Sequence, residues 1–538
     1  MRLDDTRSVS WEHRCGSALV FPGYSPRPAD VALAMLLLGG GACSVVRMKG
    51  ETPSDGMAWG CACIATGLRQ RTWCRRDRNA TNAPCCPSMT AGRRSVKPLV
   101  PRVRPSVELF EPVWVSDIEI SRPIPDIPDS PHPGRRRYAR AVSYVRWSGV
   151  PIGAVWMTLP VGGLDALTHA EKIWAALGSD LRAHAEVNGN PSLSPLGATG
   201  YRLHAPPEPR SSQTPHVTVV IATRDRPEML HRCLRSLLDV DYPSFDVVVV
   251  DNAPSSDTTT RLIEKSFADD RVSCVVEPTP GLARAHNRGL AEASGELVAF
   301  TDDDVIVDRG WLPSIVDAFE DDAVACVTGL ILPRRLDTRA QWWLEGYAGY
   351  GKGLQRRYFD LDSNRPGDRL FPYTAGRLGS GANMSFRTEF LRSIGGFDPA
   401  LGVGSPAYGG DDLAAFFEVL TTGNTLVYEP SAIVHHEHPE SEDALWRQVF
   451  GYGAGLTAYL TKTLVDDPSR ALAVAVRAPQ AVWYVLSSRS VRNESRSADF
   501  PVRLRWRELA GMAIGPIAYL RSRRRAIRAG VSGTRRAE

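Results

Sequence analysis

The sequence lacks the glycine-rich phosphate loops that many nucleotide-binding enzymes carry. After its first strand-like apolar run, Val217 to Ala222, the chain reads Thr-Arg-Asp-Arg-Pro, with neither a G-x-G-x-x-G motif nor a P-loop. This absence argues against a dinucleotide-binding dehydrogenase and against an ATPase. Without a glycine cradle, a bound diphosphate would need a metal ion and basic side chains.

Strong net charge, zinc-type cysteine pairs and long apolar runs are also lacking. The net charge is only +4, so there is no electrostatic case for a nucleic-acid partner. No C-x₂-C pair occurs, which disfavours a zinc module. The apolar stretch Val31 to Val46 is shorter than the roughly 20 residues that span a bilayer, so we predict no transmembrane segment. Cys233, Cys274 and Cys326 lie in apolar patterns, as reduced thiols do in a cytoplasmic protein.

Five segments are predicted along the chain. Residues 1–104 lack sustained helix or strand periodicity, and we expect them to be disordered or not part of the native protein. Residues 105–187 form a small α+β unit of a hairpin and a helix, and residues 188–215 form a linker rich in proline, serine and glycine. Residues 216–440 alternate strands and helices as an α/β domain does, and residues 441–538 form a helical extension.

Polar residues follow three predicted strands of the α/β domain. The residues that follow these strand ends are Thr223-Arg224-Asp225, Asp251-Asn252 and Asp302-Asp303-Asp304. Ligands of an open α/β sheet bind beyond the carboxyl ends of its strands. We therefore expect a substrate site where these three ends meet.

The most informative residues are Asp302, Asp303 and Asp304, which directly follow a buried strand. Holding these charges together unpaired would cost several kcal/mol. A divalent cation, Mg²⁺ or Mn²⁺, would relieve the repulsion, because it prefers oxygen ligands and usually keeps substrate phosphates. Arg284 and His286 are candidates to meet those phosphates. The alternative is a loop whose aspartates cap the next helix.

A second acidic pair, Asp411 and Asp412, precedes a predicted helix. The helix macrodipole favours ionised carboxylates there, and an ionised aspartate in a cleft can accept a proton from a hydroxyl nucleophile. Helix capping is the alternative, and both roles can hold at once. Further on, His435, His436 and His438 could complete the coordination shell of the acidic cation site. A zinc site made of these three histidines alone is less favoured, because their spacing suits no regular geometry.

Taken together, the motifs resemble those of family 2 glycosyltransferases of the GT-A fold. The matching segments are Val217 to Arg226, Val250 to Asn252, Gly281 to Asn287, Phe300 to Asp304, Gly381 to Phe386, Gly395 to Asp398, Gly409 to Asp412 and Pro430 to His436. The flanking segments are similar to those of actinobacterial members. The resemblance implies an α/β domain with a mostly parallel, mixed sheet. It also implies a nucleotide-diphosphate sugar donor, a divalent metal and inversion at the anomeric carbon.

The resemblance implies roles for individual residues. Asp412 would be the general base beside Asp411, which stands where the family usually has glutamate. The residues implied for the metal are Asp304, Asp302 and His436, and those for the nucleotide-sugar donor are Thr223, Asp225, Asp251, Arg284, Asn287, Asp302 and Asp303. His286 stands where an arginine is common, so the diphosphate contact there is expected to be weaker.

Trp342, Trp343 and Tyr347, between the two acid clusters, are candidates for acceptor binding, since aromatic rings stack on sugars. Packing in the core is the alternative. We predict an inverting transferase of the cytoplasm, active in cell-envelope polysaccharide, glycolipid or glycoconjugate synthesis. Its acceptor would be a carbohydrate or a lipid-linked hydroxyl compound. A sugar-nucleotide nucleotidyltransferase and a catalytically inactive sugar-binding or scaffold relative are the other candidates.

Near the C-terminus, apolar residues precede a basic cluster. These residues are Leu509, Met512, Ala513, Ile514, Ile517 and Leu520, followed by Arg521 to Arg528. Such a stretch can lie on an anionic membrane surface, here the inner face of the plasma membrane, or it can pack on the catalytic domain. Gly511, Gly515 and Pro516 are expected to interrupt any long amphipathic helix.

Overall fold

The computed structural model describes residues 110–130, 137–189, 192–201, 214–348, 350–487, 490 and 501–528, and four short strands before residue 63. Those strands, Ser8–Glu12 (β1), Ala18–Pro22 (β2), Val46–Lys49 (β3) and Trp59–Ala62 (β4), form two antiparallel pairs within one compact unit, Met1–Arg94. Most of the segment 1–104 and half of the linker 188–215 lie outside the described residues, so both predictions stay predictions.

The second compact unit, Ser95–Glu538, opens with a three-stranded sheet and a helix. Val113–Glu119 (β5) pairs in parallel with Arg140–Trp147 (β6), which pairs antiparallel with Val150–Thr158 (β7). Helix Ala166–Val187 (α1) covers the sheet. The predicted hairpin and helix are therefore present. The sequence did not indicate β5, because this strand lacks a regular alternation of buried and exposed residues.

A nine-stranded mixed sheet forms the centre of the α/β domain. Its strands are Val217–Thr223 (β8), Phe245–Asn252 (β9), Val272–Glu277 (β10), Leu297–Asp302 (β11), Val305–Val307 (β12), Val324–Pro333 (β13), Arg357–Phe359 (β14), Asn383–Arg387 (β15) and Thr425–His436 (β16). The order is β10-β9-β8-β11-β15-β13-β16-β12, and β14 also pairs with β16. The first four strands are parallel, and β15 runs antiparallel to β11 and β13. The predicted α/β fold with a mixed sheet is confirmed.

Helices cover this sheet and extend beyond it. They are Pro227–Leu238 (α2), Thr258–Ser266 (α3), Leu282–Glu292 (α4), Trp311–Ala318 (α5), Arg339–Ala348 (α6), Thr388–Ser393 (α7), Asp411–Thr421 (α8), Glu442–Asp466 (α9), Ala471–Leu486 (α10) and Val502–Arg528 (α11). Along β8, Val219 and Ile221 face one apolar core and Val220 faces another. This burial on both faces is the physical reason for the continuous apolar run in that strand.

The expectation that Gly511, Gly515 and Pro516 interrupt the C-terminal helix is wrong, since α11 is continuous. A Cβ atom on Gly511 would clash with the carbonyl oxygen of Phe450 in α9, so glycine permits close packing of the two helices. Pro516 cannot donate to the carbonyl oxygen of Met512, and the hydroxyl of Thr457 donates to that oxygen instead, at 2.8 Å. Contacts with α9 therefore offset the low helix propensity of these residues.

Candidate active site

A cavity of about 2140 Å³ lies at the carboxyl ends of β8 and β11. Its lining includes Asp302 to Asp304, Asp411 and Asp412 at the start of α8, and His436 at the end of β16. Residues of α10, among them Tyr484, also line it. The structure thus brings both acidic clusters of the sequence, and the histidine, to one cavity.

Asp302, Asp304 and His436 form the part of the cavity that fits a metal ion. One ligand atom of each residue lies within 4.8 Å of the others, and Nε2 of His436 is 3.5 Å from Oδ1 of Asp304. Burial raises the pKa of Asp302 well above its usual value, and the charges of Asp304 and Asp303 raise it further. Among the described residues, Oδ1 of Asp304 accepts no hydrogen bond. Two carboxylates and an imidazole with an unsatisfied oxygen suit a divalent cation.

Asp303 has a different environment from its two neighbours. The hydroxyl of Thr223 donates to its Oδ2 at 2.7 Å, and Nη1 of Arg226 donates to its Oδ1 at 2.9 Å. Burial raises the pKa of Asp303 to about 6, although Arg226 opposes the shift. Arg226 also lies 3.3 Å from Oδ2 of Asp304. Asp303 and Thr223 therefore join the ends of β8 and β11, and Arg226, which the sequence did not single out, supplies the only positive charge hydrogen-bonded to the cluster in the described part of the chain.

Asp225 and Asp251, predicted to contact the donor nucleotide, lie together at the ends of β8 and β9. Burial raises the pKa of Asp251, and the charge of Asp225 adds to that shift. Asp225 has a left-handed backbone, φ 54°, and its carboxylate accepts hydrogen bonds from the amide and hydroxyl of Ser255 at 3.0 and 2.8 Å. Neither aspartate lines the cavity, whereas Asn252 does. Their nucleotide roles stay predictions.

On α4, the predicted donor residues Asn287 and Arg284 also lie outside the cavity lining. Nδ2 of Asn287 donates to the carbonyl oxygen of Phe397 at 2.7 Å, and its Oδ1 accepts from the Phe397 amide at 2.8 Å. Asn287 therefore fixes a turn of the chain. The ring of His286 is buried between those of Phe300 and Phe397, with both centroids 5.0 Å away, and its Nδ1 lies 3.6 Å from Oδ2 of Asp411. This imidazole lies behind the acidic pair.

Backbone amides hold Asp412 at the start of α8. The amide of Gly381 donates to its Oδ2 at 3.0 Å, and the amide of Leu413 donates to its Oδ1 at 2.8 Å. Burial and the charge of Asp411 raise the pKa of Asp412 to about 6. The residue that caps the helix is Gly410, with a left-handed backbone at φ 88° and no side-chain cap. Asp412 is thus an ionised, cavity-facing carboxylate near neutral pH, as a general base should be.

Behind the metal-type cluster, a chain of buried polar side chains leads away from His436. Its Nδ1 lies 3.0 Å from Nδ1 of His438, whose Nε2 lies 3.0 Å from Oε2 of Glu345 in α6. The ring of Tyr350 packs on both imidazoles, with centroids 5.4 and 5.5 Å away. The sequence did not lead us to assign a role to Glu345. The one signal for such a role was the presence of a glutamate within the apolar run of α6. This chain fixes the orientation of His436.

The three histidines do not converge on one point. Nε2 of His435 lies 3.2 Å from Oδ2 of Asp117 in β5, while His436 and His438 belong to the buried chain described above. A site made of these three histidines alone is therefore not formed.

The predicted acceptor residues are part of helix α6. Trp342 and Trp343 are 5% and 6% exposed, and Trp342 packs edge-on against Trp156 with ring centroids 5.7 Å apart. Neither lines the cavity, as the packing alternative expected. Tyr347 does line it, beside Glu345. Of the three aromatic residues, Tyr347 is the one that lines the cavity, and its acceptor role stays a prediction.

Comparison with known proteins finds a family match within the α/β domain. The sequence model of the family described as glycosyl transferase family 2 matches residues 218–394, which include Asp302 to Asp304. This segment is therefore similar to glycosyl transferase family 2. Asp411 and Asp412 lie beyond the matched residues, so their assignment depends on the geometry above.

Two bacterial relatives are similar to this chain. The pre-mycofactocin glycosyltransferase of Mycobacterium tuberculosis is 29% identical over 275 residues, which are 51% of this chain and 53% of that protein. The succinoglycan biosynthesis protein ExoM of Rhizobium meliloti is 26% identical over 240 residues, 44% of this chain and 71% of that protein. The chain thus spans about half the length of its mycobacterial relative. The predicted resemblance to actinobacterial members is confirmed.

Among solved structures, a mannosyltransferase from Pyrobaculum calidifontis in complex with GDP-Man and Mn²⁺ is 19% identical to this chain. The similarity covers 56% of this chain and 88% of that chain, with a TM-score of 0.37.

Proposed function

We propose that this protein is an inverting, metal-dependent glycosyltransferase. It moves a sugar from a nucleotide-diphosphate donor to a hydroxyl group of an acceptor. The observation that carries the proposal is that one cavity holds two acidic clusters with different surroundings, Asp302 with Asp304, and Asp412. The first suits a cation and the second suits a proton acceptor. The match of residues 218–394 to family 2, and relatives named as a glycosyltransferase and a succinoglycan biosynthesis protein, support the same reaction class.

In the proposed mechanism, Asp304, Asp302 and His436 would hold Mg²⁺ or Mn²⁺, and Arg226 adds a positive charge beside them. A bound cation supplies counter-charge for the leaving diphosphate. The acceptor oxygen forms a bond to C1 of the sugar as the bond from C1 to the diphosphate oxygen breaks on the opposite face. Asp412 takes the hydroxyl proton, and its backbone hydrogen bonds to Gly381 and Leu413 hold the carboxylate in place.

The experiment that tests this function is a thermal-shift screen with UDP-, GDP-, dTDP- and CMP-sugars, with and without Mn²⁺. A donor that binds the native state raises its stability with the logarithm of donor concentration over Kd. The best donor is then assayed for release of its nucleoside diphosphate with candidate acceptor sugars. We expect a metal-dependent stability shift and turnover in the wild type. A metal-independent response to every nucleotide sugar, without turnover, would contradict the proposal.

We further propose that the protein attaches to the surface of the cell membrane, near a lipid-linked acceptor. None of the residues of α10 is buried, and Leu472 and Val476 are 74% and 70% exposed. Arg505 of α11 donates to the carbonyl oxygen of Leu486 at the end of α10, so basic and apolar groups are neighbours there. Such an arrangement suits an anionic bilayer surface. Among the described residues, no helix is both long and apolar enough to span a bilayer.

Vesicle co-sedimentation tests this attachment. Val476→Asp should weaken binding to phosphatidylglycerol vesicles, and binding of the wild type should decrease with added salt. Val161→Asp is the matched control, because Val161 is a valine shortly after β7 that is 83% exposed. Equal, salt-insensitive sedimentation of all three proteins would exclude the attachment.

A further inference from the structure

Three basic residues line the cavity but have no role in the donor binding and proton transfer proposed above. Lys352, Arg357 and Arg377 all face this cavity. Lys352 lies in the segment that leads into β14, Arg357 is the first residue of that strand, and Arg377 ends a short 3₁₀ helix, Ala375–Arg377. We call these three residues the basic wall. Its cations come from separate parts of the chain, so the fold assembles them.

The basic wall is a built structure with fixed positions. The guanidinium group of Arg357 lies 5.4 Å from the ring centroid of Tyr428 and donates a hydrogen bond to the carbonyl oxygen of Lys352. The hydroxyl of Tyr428 accepts from the amide of Lys352 at 3.3 Å and donates to the carbonyl oxygen of Gly353 at 2.9 Å. Pairing of Arg357 with Tyr428 between β14 and β16 sets the register of these contacts.

The charges of the basic wall repel one another. Arg377 donates to Oδ2 of Asp368 at 2.8 Å. Burial lowers the pKa of Lys352 to about 8, and the charges of Arg377 and Arg357 add to that shift. The charge of Asp412 acts on the pKa of Lys352 in the opposite direction, and both residues line the same cavity. Gathering like charges in a cavity costs free energy that a bound anion would return.

We propose that the basic wall binds an anionic group of the acceptor, a phosphate or a carboxylate. Binding of that anion would place the acceptor hydroxyl beside Asp412. The donor diphosphate has its own partners at the ends of β8 and β11, namely the metal-type cluster and Arg226. The acceptor role of the basic wall rests on the proposed transferase function, although its affinity for anions does not. The substrate class is therefore a charged sugar acceptor, either phosphorylated and free or linked through phosphate to a lipid.

Calorimetric titration of the metal-free protein with inorganic phosphate tests the site without the donor. EDTA removes cations, so phosphate cannot bind through a metal at Asp302 and Asp304. We expect Lys352→Gln and Arg377→Gln to raise the Kd for phosphate at least about tenfold, the range of a charged hydrogen bond. Arg477→Gln is the matched control, because its guanidinium lies over Tyr373 but outside the cavity lining, and it should change the Kd less than about twofold.

A second arm distinguishes the two sources of the phosphate. Dodecyl phosphate below its micelle concentration should bind more tightly than inorganic phosphate if the acceptor is lipid-linked, and equally if it is a free sugar phosphate. Arg377 is the more exposed of the two substituted residues, so its variant keeps the test valid if Lys352→Gln unfolds. Absence of millimolar phosphate binding to the wild type, or an unchanged Kd in folded variants, would contradict the proposal that the basic wall binds an anion. Failure of the donor screen alone would leave it standing.

Discussion

The two acidic clusters of the cavity differ in how the fold stabilises their charges. Asp302 and Asp304 stand at the end of a strand. Burial and like charges raise the pKa of Asp302, and one oxygen of Asp304 accepts no hydrogen bond among the described residues. Asp412 stands at a helix start, where the amides of Gly381 and Leu413 donate to it. The sheet edge therefore gathers carboxylates that suit a cation, whereas Asp412 receives backbone donors from the helix start and from Gly381.

The largest effect on this comparison should come from Asp304→Ala. We expect the variant to lose the metal-dependent part of its affinity for a nucleoside diphosphate, because the leaving group then lacks its main counter-charge. Titration calorimetry with and without Mn²⁺ measures it, and Asp412→Asn is the control that keeps the cation site. Equal metal-dependent affinity in Asp304→Ala and the wild type would remove Asp304 from the site.

Asp412→Asn should lower turnover by roughly 10²–10⁴-fold while donor affinity stays close to that of the wild type. The amide is nearly isosteric with the carboxylate but cannot accept the acceptor proton. Steady-state kinetics measures turnover, and calorimetry with the donor measures affinity. A fall in kcat of less than about tenfold would place the base elsewhere, with Asp411 as the next candidate.

Glu345→Gln should weaken Mn²⁺ binding by about 10–100-fold, since the buried chain through His438 orients His436. Asp412 is not part of that chain, so the comparison predicts an effect on metal affinity with little change in kcat at saturating Mn²⁺. Glu429→Gln is the matched control, because Glu429 is another buried glutamate and pairs with Arg356 instead. The idea fails if both variants bind Mn²⁺ equally well.

The smallest predicted effect concerns pH. Because burial and Asp411 raise the pKa of Asp412 to about 6, its protonated fraction grows as pH falls through that value. A protonated base cannot accept the acceptor proton, so kcat at saturating metal and donor should fall about tenfold per pH unit below about 6. A pH profile measured against a donor-binding profile separates this loss from weaker metal binding. A flat kcat between pH 7 and pH 5 would contradict the role of Asp412.

Local sequence patterns predicted the placement of both acidic clusters, because strand ends and helix starts are set by near neighbours in the chain. They could not predict that Asp303 accepts hydrogen bonds from Thr223 and Arg226, because these partners lie at or just after the end of a neighbouring strand of the sheet. The contact between Glu345 and His438 joins residues 93 positions apart, and the same sequence run could equally form an acceptor loop.

The predictions for the two tryptophans and the glycines failed because the outcome also depended on contacts with distant parts of the chain. Trp342 and Trp343 belong to the core, where large rings bury more apolar area than in any exposed loop. Gly511 lies within a continuous helix because α9 passes close to it, and that contact is invisible in local propensity. What the sequence could not supply in each case was the partner from a distant part of the chain.

Helix α10 has a consequence for hydrogen exchange. None of its 16 residues is buried, although Ala481, Tyr484 and Val485 line the cavity. The strands β8 and β9, by contrast, are buried over nearly their whole length. Opening of α10 therefore exposes little apolar surface, and we expect its amide protons to exchange through local fluctuations, whereas those of β8 and β9 wait for global unfolding. Helix α10 can thus open and close many times at the edge of the cavity while the rest of the domain stays folded.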